Sequence, residues 1–294
     1  MPASPVLLVT GASGHLGRQV VERLLDNKSG RVIAGTRDLA KVADLVDRGA
    51  EARVVDFDRP ETLAAAFAGV DRLLLISTDA LAVRKRQQRA AVEAAAKAGV
   101  GHIVYTSALN PQPSETNPVT DSHYWTEHAI AATAAGFTIL RNNIYADMIL
   151  VALANALKSG QMFSATGTAG RNYVTREDCA AVAAAALADA FSGRRILEVN
   201  GPAPVTQDEV AAWAGAIAGK PVAHVPIPAE AMRQGLAAAG LPDVYAEALT
   251  AFDVDAARGY HAVTTPVVHD LTGRAPTSVQ DFLAANAEAI RAMA

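Results

Sequence analysis

The chain reads as an α/β protein, a doubly wound parallel sheet with a smaller, mostly helical C-terminal part. Three observations predict this. Short β-branched or Leu-rich runs alternate with longer Ala- and charge-rich stretches of helical spacing through the first half of the 294 residues. Runs such as Val6–Val9 and Leu73–Ile76 are apolar at every position, which fits strands covered on both faces by helices. The first of them leads straight into a glycine-rich turn and a helical pattern that starts at His15.

Taken in order, strands are expected at Pro5–Thr10, Arg31–Thr36, Ala52–Asp56, Asp71–Ser77, Gly101–Ser107 and Phe137–Arg141. Helices are expected between them at His15–Asn27, Leu39–Arg48, Glu61–Ala68 and Ala80–Ala98. The loop Asn110–Thr120 carries three prolines and is long enough to be a lid. Beyond about residue 150 the rhythm changes. A helix is expected around Ala146–Lys158, then the segment Asn172–Thr175, an Ala-rich helix to about Ala190 and a strand near Arg195–Val199. Thr175 and Asp178 have the spacing of a helix-capping pair. Further helices should cover Gln207–Ala218, Ala229–Ala239, Val244–Ala257 and Val279–Met293. The expected division is 1–150 for the sheet domain and 151–294 for a substrate-side part that can return a strand to the main sheet.

Composition excludes several classes. Lys plus Arg number 26 against 30 Asp plus Glu, a formal charge of −4, so a nucleic-acid backbone is not an expected partner. Cys179 is the single cysteine, which rules out an internal disulfide and any multi-thiolate metal site. The seven histidines are scattered, and His123 and His128 would diverge on a helix, so no metal is expected. No apolar run approaches the roughly 18 residues of a membrane span, and a cytoplasmic address is expected.

The candidate site starts at the front. Thr10 is followed by Gly11-Ala-Ser13-Gly14-His15-Leu16-Gly17. The first glycine turns the chain out of the strand, the second lets backbone approach a diphosphate, and the third lets the helix pack closely. The helix start then offers N–H groups and the positive dipole end. At the end of the second strand, Arg37 is the basic choice that accommodates a 2′-phosphate, so NADPH rather than NADH is the expected cofactor. Asp56 and Phe57, closing the third strand, fall where the adenine edge should lie, with a helix-entry role for Asp56 or Asp58 as the alternative. Ser77 and Thr78 close the fourth strand, placed to meet the ribose next to nicotinamide.

The helix after the fifth strand would carry Tyr-x-x-x-Lys in ordinary short-chain dehydrogenases. Here it reads Asp121-Ser-His123-Tyr124-Trp-Thr-Glu127-His128, so the pair is absent. Tyr124 and His128 keep the spacing with an imidazole in place of the ammonium. His123 and Glu127 share a helical face one position earlier, either as acid/base groups or with Glu127 anchoring His123 and the helix. The basic run Arg84-Lys85-Arg86 with Arg89 is either a solvated face or an aid to holding a phosphate.

The glycine turn, the Arg37 strand end, Leu73-Leu-Leu-Ile-Ser77, Tyr105-Thr-Ser-Ala-Leu109, the His123–Glu127 helix, Leu140-Arg-Asn-Asn-Ile-Tyr145 and Tyr173-Val-Thr-Arg-Glu-Asp178 occur in this order. Together they resemble the NmrA-like group of atypical short-chain dehydrogenases, and most of all its branch of type 2 NADPH quinone oxidoreductases and triphenylmethane reductases. The resemblance implies a flavin-free enzyme that passes hydride from NADPH to a quinone or similar conjugated acceptor, as a monomer or homodimer. It implies that Arg141, Asn142, Asn143 and Ile144 border the nicotinamide and that Tyr145 lines the acceptor pocket. An NADP-binding redox sensor without turnover, and an extended short-chain reductase or epimerase, are the alternative classes.

Overall fold

Uninterrupted apolar runs become the buried strands of the fold, and the Ala-rich amphipathic segments become the helices that cover them. The protein is described by a computed structural model over residues 4–294. Its first half alternates β1 (Val6–Val9), α1 (His15–Asp26), β2 (Arg31–Thr36), a single 3-10 turn (Leu39–Val42) running into α2 (Ala43–Asp47), and β3 (Glu51–Val54). It continues through α3 (Glu61–Phe67), β4 (Arg72–Leu75), α4 (Arg84–Lys97), β5 (His102–Ala108), α5 (Pro118–Ala131) and β6 (Gly136–Asn142). Then follow α6 (Asp147–Ser159), β7 (Gln161–Ser164), α7 (Arg176–Ala188), β8 (Arg194–Val199), α8 (Gln207–Ala218) and β9 (Ala223–Pro226). The chain ends with α9 (Ala229–Ala238), α10 (Asp243–Ala257), α11 (Val267–Thr272), α12 (Val279–Ala285) and α13 (Ala287–Met293).

The chain divides into two units. One holds the residues up to Pro113, Thr120–Arg141 and Cys179–Glu198, and the other holds Ser114–Val119, Asn142–Asp178 and Val199–Ala294. The division thus falls at several crossings of the chain rather than at a single point near residue 150. The first unit carries the main sheet, in the order β3-β2-β1-β4-β5-β6-β8. β1 pairs in parallel with β2 and β4, β2 with β3, and β4 with β5. The bond from Phe137 N to Gly193 O, 3.0 Å, continues the same direction into β8. The order reverses between β1 and β4, the point at which open α/β sheets leave a crevice at their carboxyl ends.

One face of this sheet packs Leu8, Ile33, Leu73, Ile103 and Tyr105 against Leu63 and Phe67 of α3, Val92 of α4 and Ile130 of α5. Residues of this kind contribute roughly 1.5–3 kcal/mol each when fully buried. α7 is nearly all alanine in its core and almost wholly buried, so its backbone lies close to its neighbours. Two of its C-terminal carbonyls are satisfied by Arg72 at the start of β4, which donates to Leu187 O (2.7 Å) and Ala186 O (3.1 Å), and also to Phe191 O (2.9 Å) in the loop beyond the helix. The Thr175–Asp178 spacing does cap α7: Asp178 N donates to Thr175 Oγ1 at 3.0 Å and the hydroxyl donates to Asp178 Oδ2 at 2.8 Å.

The second unit is built on α6, α8, α12 and α13, with Ile149, Leu153, Val210, Leu283 and Ile290 at its centre. The short strands β7 and β9, which periodicity does not reveal, pair in parallel. The stretch expected as one helix from Val279 to Met293 is two, broken at Asn286, whose Nδ2 donates back to Phe282 O at 2.8 Å. α5 starts at Pro118, so the last part of the expected loop Asn110–Thr120 is helical. No helix among the described residues is long and apolar enough to cross a membrane, and no group of three His, Cys, Asp or Glu side chains among them could hold a metal ion.

Each unit buries a neutral histidine. His102 bonds Thr138 Oγ1 at 3.0 Å, and burial, followed by the Arg72 and Arg195 charges, lowers its pKa from 6.5 to about 4. Burial and then the Arg171 charge bring His261 to about 4 as well. The unfolded chain takes up a proton at each site below its ordinary pKa, whereas the folded chain does not until near pH 4. Stability is therefore full above about pH 6.5 and falls as pH drops through this window, by up to about 3 kcal/mol per histidine. Urea midpoints measured at pH 7.5 and 5 should show the loss, and His102→Gln should lose less between the two; equal losses in variant and parent would contradict the assignment.

Candidate functional site

The backbone leaves β1 through Gly11, whose φ of 64° lies in the left-handed region that glycine tolerates best. Ala12 N donates to Gly35 O at 3.0 Å and Gly14 N to Gly11 O at 2.9 Å, which fixes the turn. Gly14 then caps α1 in an extended conformation, with no side-chain hydrogen bond to the cap and no acidic residue in the first turn. A Cβ on Gly17 would lie 2.3 Å from Gly11 O, so α1 can rest on the turn only because position 17 has none. Ser13, Gly14 and His15 are exposed, while Leu16 turns its side chain into the core. The positive end of the helix dipole is thereby left open to an anion.

The rim of the crevice is held by hydroxyls that sequence reading passed over. Thr36 Oγ1 donates to Ser13 Oγ at 3.1 Å and accepts from Asp38 N at 3.2 Å, fixing the end of β2 against the turn. Arg37 lies just outside, exposed, and among the described residues its guanidinium makes no hydrogen bond or salt bridge. Beyond β4, Thr10 Oγ1 accepts from Ile76 N and Thr106 Oγ1 from Ser77 N, each at 2.9 Å. Thr78 Oγ1 donates to Gln87 Oε1 at 3.0 Å, and its carbonyl accepts from Arg84 Nε. Ser77 is thus pinned from β5 and Thr78 from α4. Threonines at strand ends are common enough that their spacing alone gives no signal of this.

Asp56 does not start α3, whose N-cap is Pro60 with no side-chain bond; its carboxylate holds the turn that precedes the helix. Its Oδ1 accepts from Asp58 N at 3.0 Å and its Oδ2 from Arg59 Nε at 2.9 Å, and the Arg59 bond above all lowers its pKa. Phe57 is half-buried against the core of the first unit. The basic run is absorbed locally: Lys85 pairs with Asp121 (2.6 Å), Arg86 with Asp58 (3.7 Å) and Arg89 with Glu93 (2.9 Å). A groove of about 880 Å³ between α4 and α5, lined by Val92, Ala96, Trp125 and Ala129 among others, takes in Lys85, Arg86, Arg89 and His128 but neither the glycine turn nor Arg37.

The α5 residues do not pair as expected. His123 is buried, with Nδ1 2.7 Å from Tyr105 Oη and Nε2 3.4 Å from the Arg84 guanidinium. Arginine can only donate, so Nε2 is the acceptor and Nδ1 carries the proton toward Tyr105. Tyr105 in turn donates to Gln88 Oε1 at 2.6 Å. Burial first, and then the Arg84 charge, hold the His123 pKa well below the ordinary histidine value. Glu127 anchors neither His123 nor the solvent. It accepts from Ser107 Oγ at 2.7 Å and takes both prongs of Arg141, Nε at 3.0 Å and Nη2 at 2.7 Å. His128 is exposed, and its Nδ1 lies 2.9 Å from Tyr124 O with the two rings 4.0 Å apart, so that pair is a local stack.

The residues after Arg141 belong to the second unit. Asn143 Oδ1 accepts from Ile144 N at 2.8 Å, and its Nδ2 donates to Asn200 Oδ1 (2.9 Å) and His261 O (3.1 Å), which makes it a backbone organiser. Asn142 Nδ2 donates to the Tyr145 hydroxyl at 3.1 Å, and the Arg176 guanidinium lies 5.3 Å from the Tyr145 ring centre.

A parallel sheet with a glycine turn at its reversal point and a helix start without a side-chain cap is the arrangement of a dinucleotide-binding fold. Comparison with known proteins agrees. Residues 11–190 match the model of the NAD(P)H-binding family. Quinone oxidoreductase 2 of Escherichia coli is 31% identical over 94% of this chain and 96% of its own. Its structure bound to NADPH superposes with a TM-score of 0.89, covering 95% and 99% of the two chains at 31% identity. The NAD(P)H azoreductase of Xenophilus azovorans is 30% identical over 98% of this chain and 100% of its own. The Citrobacter triphenylmethane reductase bound to NADP(H) has a TM-score of 0.83 at 31% identity, covering 95% and 99%. The chain belongs to the NAD(P)H-binding family and, within it, to the NmrA-like atypical short-chain dehydrogenases; it is an NAD(P)H-dependent oxidoreductase.

The close packing at the turn makes Gly17 its most sensitive position. Gly17→Ala should lower the unfolding free energy by about 1–3 kcal/mol through overpacking and weaken NADPH binding. Denaturant titration together with nucleotide fluorescence checks this, and an unchanged midpoint with unchanged affinity would contradict it.

Proposed function

We propose that the protein reduces a quinone or a similar extended conjugated acceptor with NADPH directly, without flavin. A bound NADPH would supply the hydride. The chain's own part is to hold and orient: the Gly11–Gly17 turn takes the diphosphate, Arg37 the 2′-phosphate, and Ser77 and Thr78 the ribose beside nicotinamide. Asp56 and Phe57 flank the adenine, the residues Arg141 to Ile144 border the nicotinamide, and Tyr145 lines the acceptor side. The names of the relatives above, a quinone oxidoreductase, an azoreductase and a triphenylmethane reductase, support an acceptor of this class.

The observation that carries the reading is the state of α5. Where a ketone reductase would present a phenol activated by lysine, Tyr124 stacks on the imidazole of His128, and the polar pair one position earlier is already committed, His123 to Tyr105 and Arg84, and Glu127 to Ser107 and Arg141. A neutral, buried His123 serves better to position α5 than to donate a proton. An acceptor whose reduced anion is delocalised needs no strong acid and can take its proton from water, so orientation supplies most of the acceleration.

Two measurements test this. Flavin-free protein should oxidise NADPH with saturation kinetics when offered simple quinones or cationic dyes; tight NADPH binding with no oxidation across such a panel would instead favour a sensor. Arg37→Ala should weaken NADPH by about tenfold or more, the scale of a lost charge-assisted phosphate contact, with little effect on NADH. Equal losses for the two nucleotides would remove Arg37 from the 2′-phosphate.

A further inference from the structure

The pairing of Arg141 with Glu127 has an electrostatic consequence for cofactor binding. Arg141 is the penultimate residue of β6, and its side chain is 24% exposed beside a Glu127 side chain only 8% exposed. A guanidinium at the carboxyl edge of such a sheet would ordinarily be a partner for phosphate. Here its Nε and Nη2 are both spent on one carboxylate, and that carboxylate is held in place by Ser107 Oγ from the end of β5. Glu198, on the neighbouring strand β8, adds a further negative charge that Arg141 senses through space.

The sheet order sets which end of a dinucleotide would feel this. If Arg37 at the end of β2 reads the 2′-phosphate and the turn after β1 takes the diphosphate, the remaining half must run over β4, β5 and β6. That half carries the nicotinamide, whose ring bears a positive charge in the oxidised nucleotide and none in the reduced one. A bare guanidinium there would favour the reduced form and penalise the oxidised one.

Resting on the functional reading above, we propose that Glu127 is a positioning residue that holds and neutralises Arg141. The nicotinamide end of the site then discriminates little between the two redox states of NADP. The carboxylate thus sits one position before the one where ordinary short-chain dehydrogenases keep their lysine, and it acts on charge rather than on proton transfer.

The test is the ratio of dissociation constants, NADP⁺ over NADPH, measured by fluorescence titration of the intact chain at fixed salt. Glu127→Gln keeps an oxygen for Ser107 but leaves Arg141 uncompensated, and should raise the ratio by about fivefold. Arg141→Gln leaves Glu127 uncompensated and should lower it by a similar factor. The double variant should return to within about twofold of the parent. Damage to packing would weaken both nucleotides together and leave the ratio alone, so opposite signs in the two single variants separate charge from structure. Singles that move the ratio in the same direction, or not at all, overturn the proposal. If Glu127→Gln fails to fold, the sign found for Arg141→Gln decides. A parent chain that binds neither nucleotide overturns the functional reading, whereas normal parent binding with a ratio that both single variants leave unmoved overturns only this inference.

Discussion

The contact between Gly17 and the carbonyl of Gly11 is the constraint on which the rest depends. Because no side chain separates them, α1 starts directly at the end of β1, and its amide-bearing terminus opens onto the point where the strand order reverses. Gly14 leaves that terminus without a side-chain cap, at a cost of only about a few tenths of a kcal/mol because glycine is tolerated at this position. The omission is intelligible if an anionic ligand supplies the missing acceptor. The neighbouring strand ends are held to the same geometry by Thr10, Thr36 and Thr106, each bonding a backbone amide or hydroxyl of the adjoining loop.

α5 shows how the same scaffold departs from ordinary reductases. Its buried face presents His123, Thr126 and Glu127 to a set of partners drawn from α4, β5 and β6. Every one of these groups is charged or polar and nearly inaccessible, and each has a partner, as buried polar groups require. Rigidity of the strand ends follows from this network. Proton donation does not, because the imidazole is held neutral and the carboxylate is already shared by an arginine and a serine.

Much of the architecture was legible in the sequence because it rests on local signals. Arg31–Thr36 and Gln207–Ala218 were placed at their observed limits by an apolar run and by helical spacing. The glycine turn and Arg37 could be read because their spacing is fixed by one strand, one turn and one helix. What escaped depends on chain distance. Glu127 was expected to face His123 four residues away, yet it binds Arg141, fourteen positions on, and Ser107, twenty positions back; neither follows from helical periodicity. β7 and β9 are four residues each and find one another across sixty positions, too short and too distant for pattern to show. The single helix expected to Met293 failed at Asn286, whose amide competes for a backbone carbonyl, a tertiary choice that propensity leaves open.

The most direct measurement of the central claim is a crystal structure of the chain grown with NADPH. The diphosphate should lie against the backbone of Ser13, Gly14 and His15, with the 2′-phosphate within hydrogen-bond reach of Arg37 and the reduced ring over the ends of β4 to β6. A nucleotide bound elsewhere, with the turn after β1 left to solvent, would contradict the account.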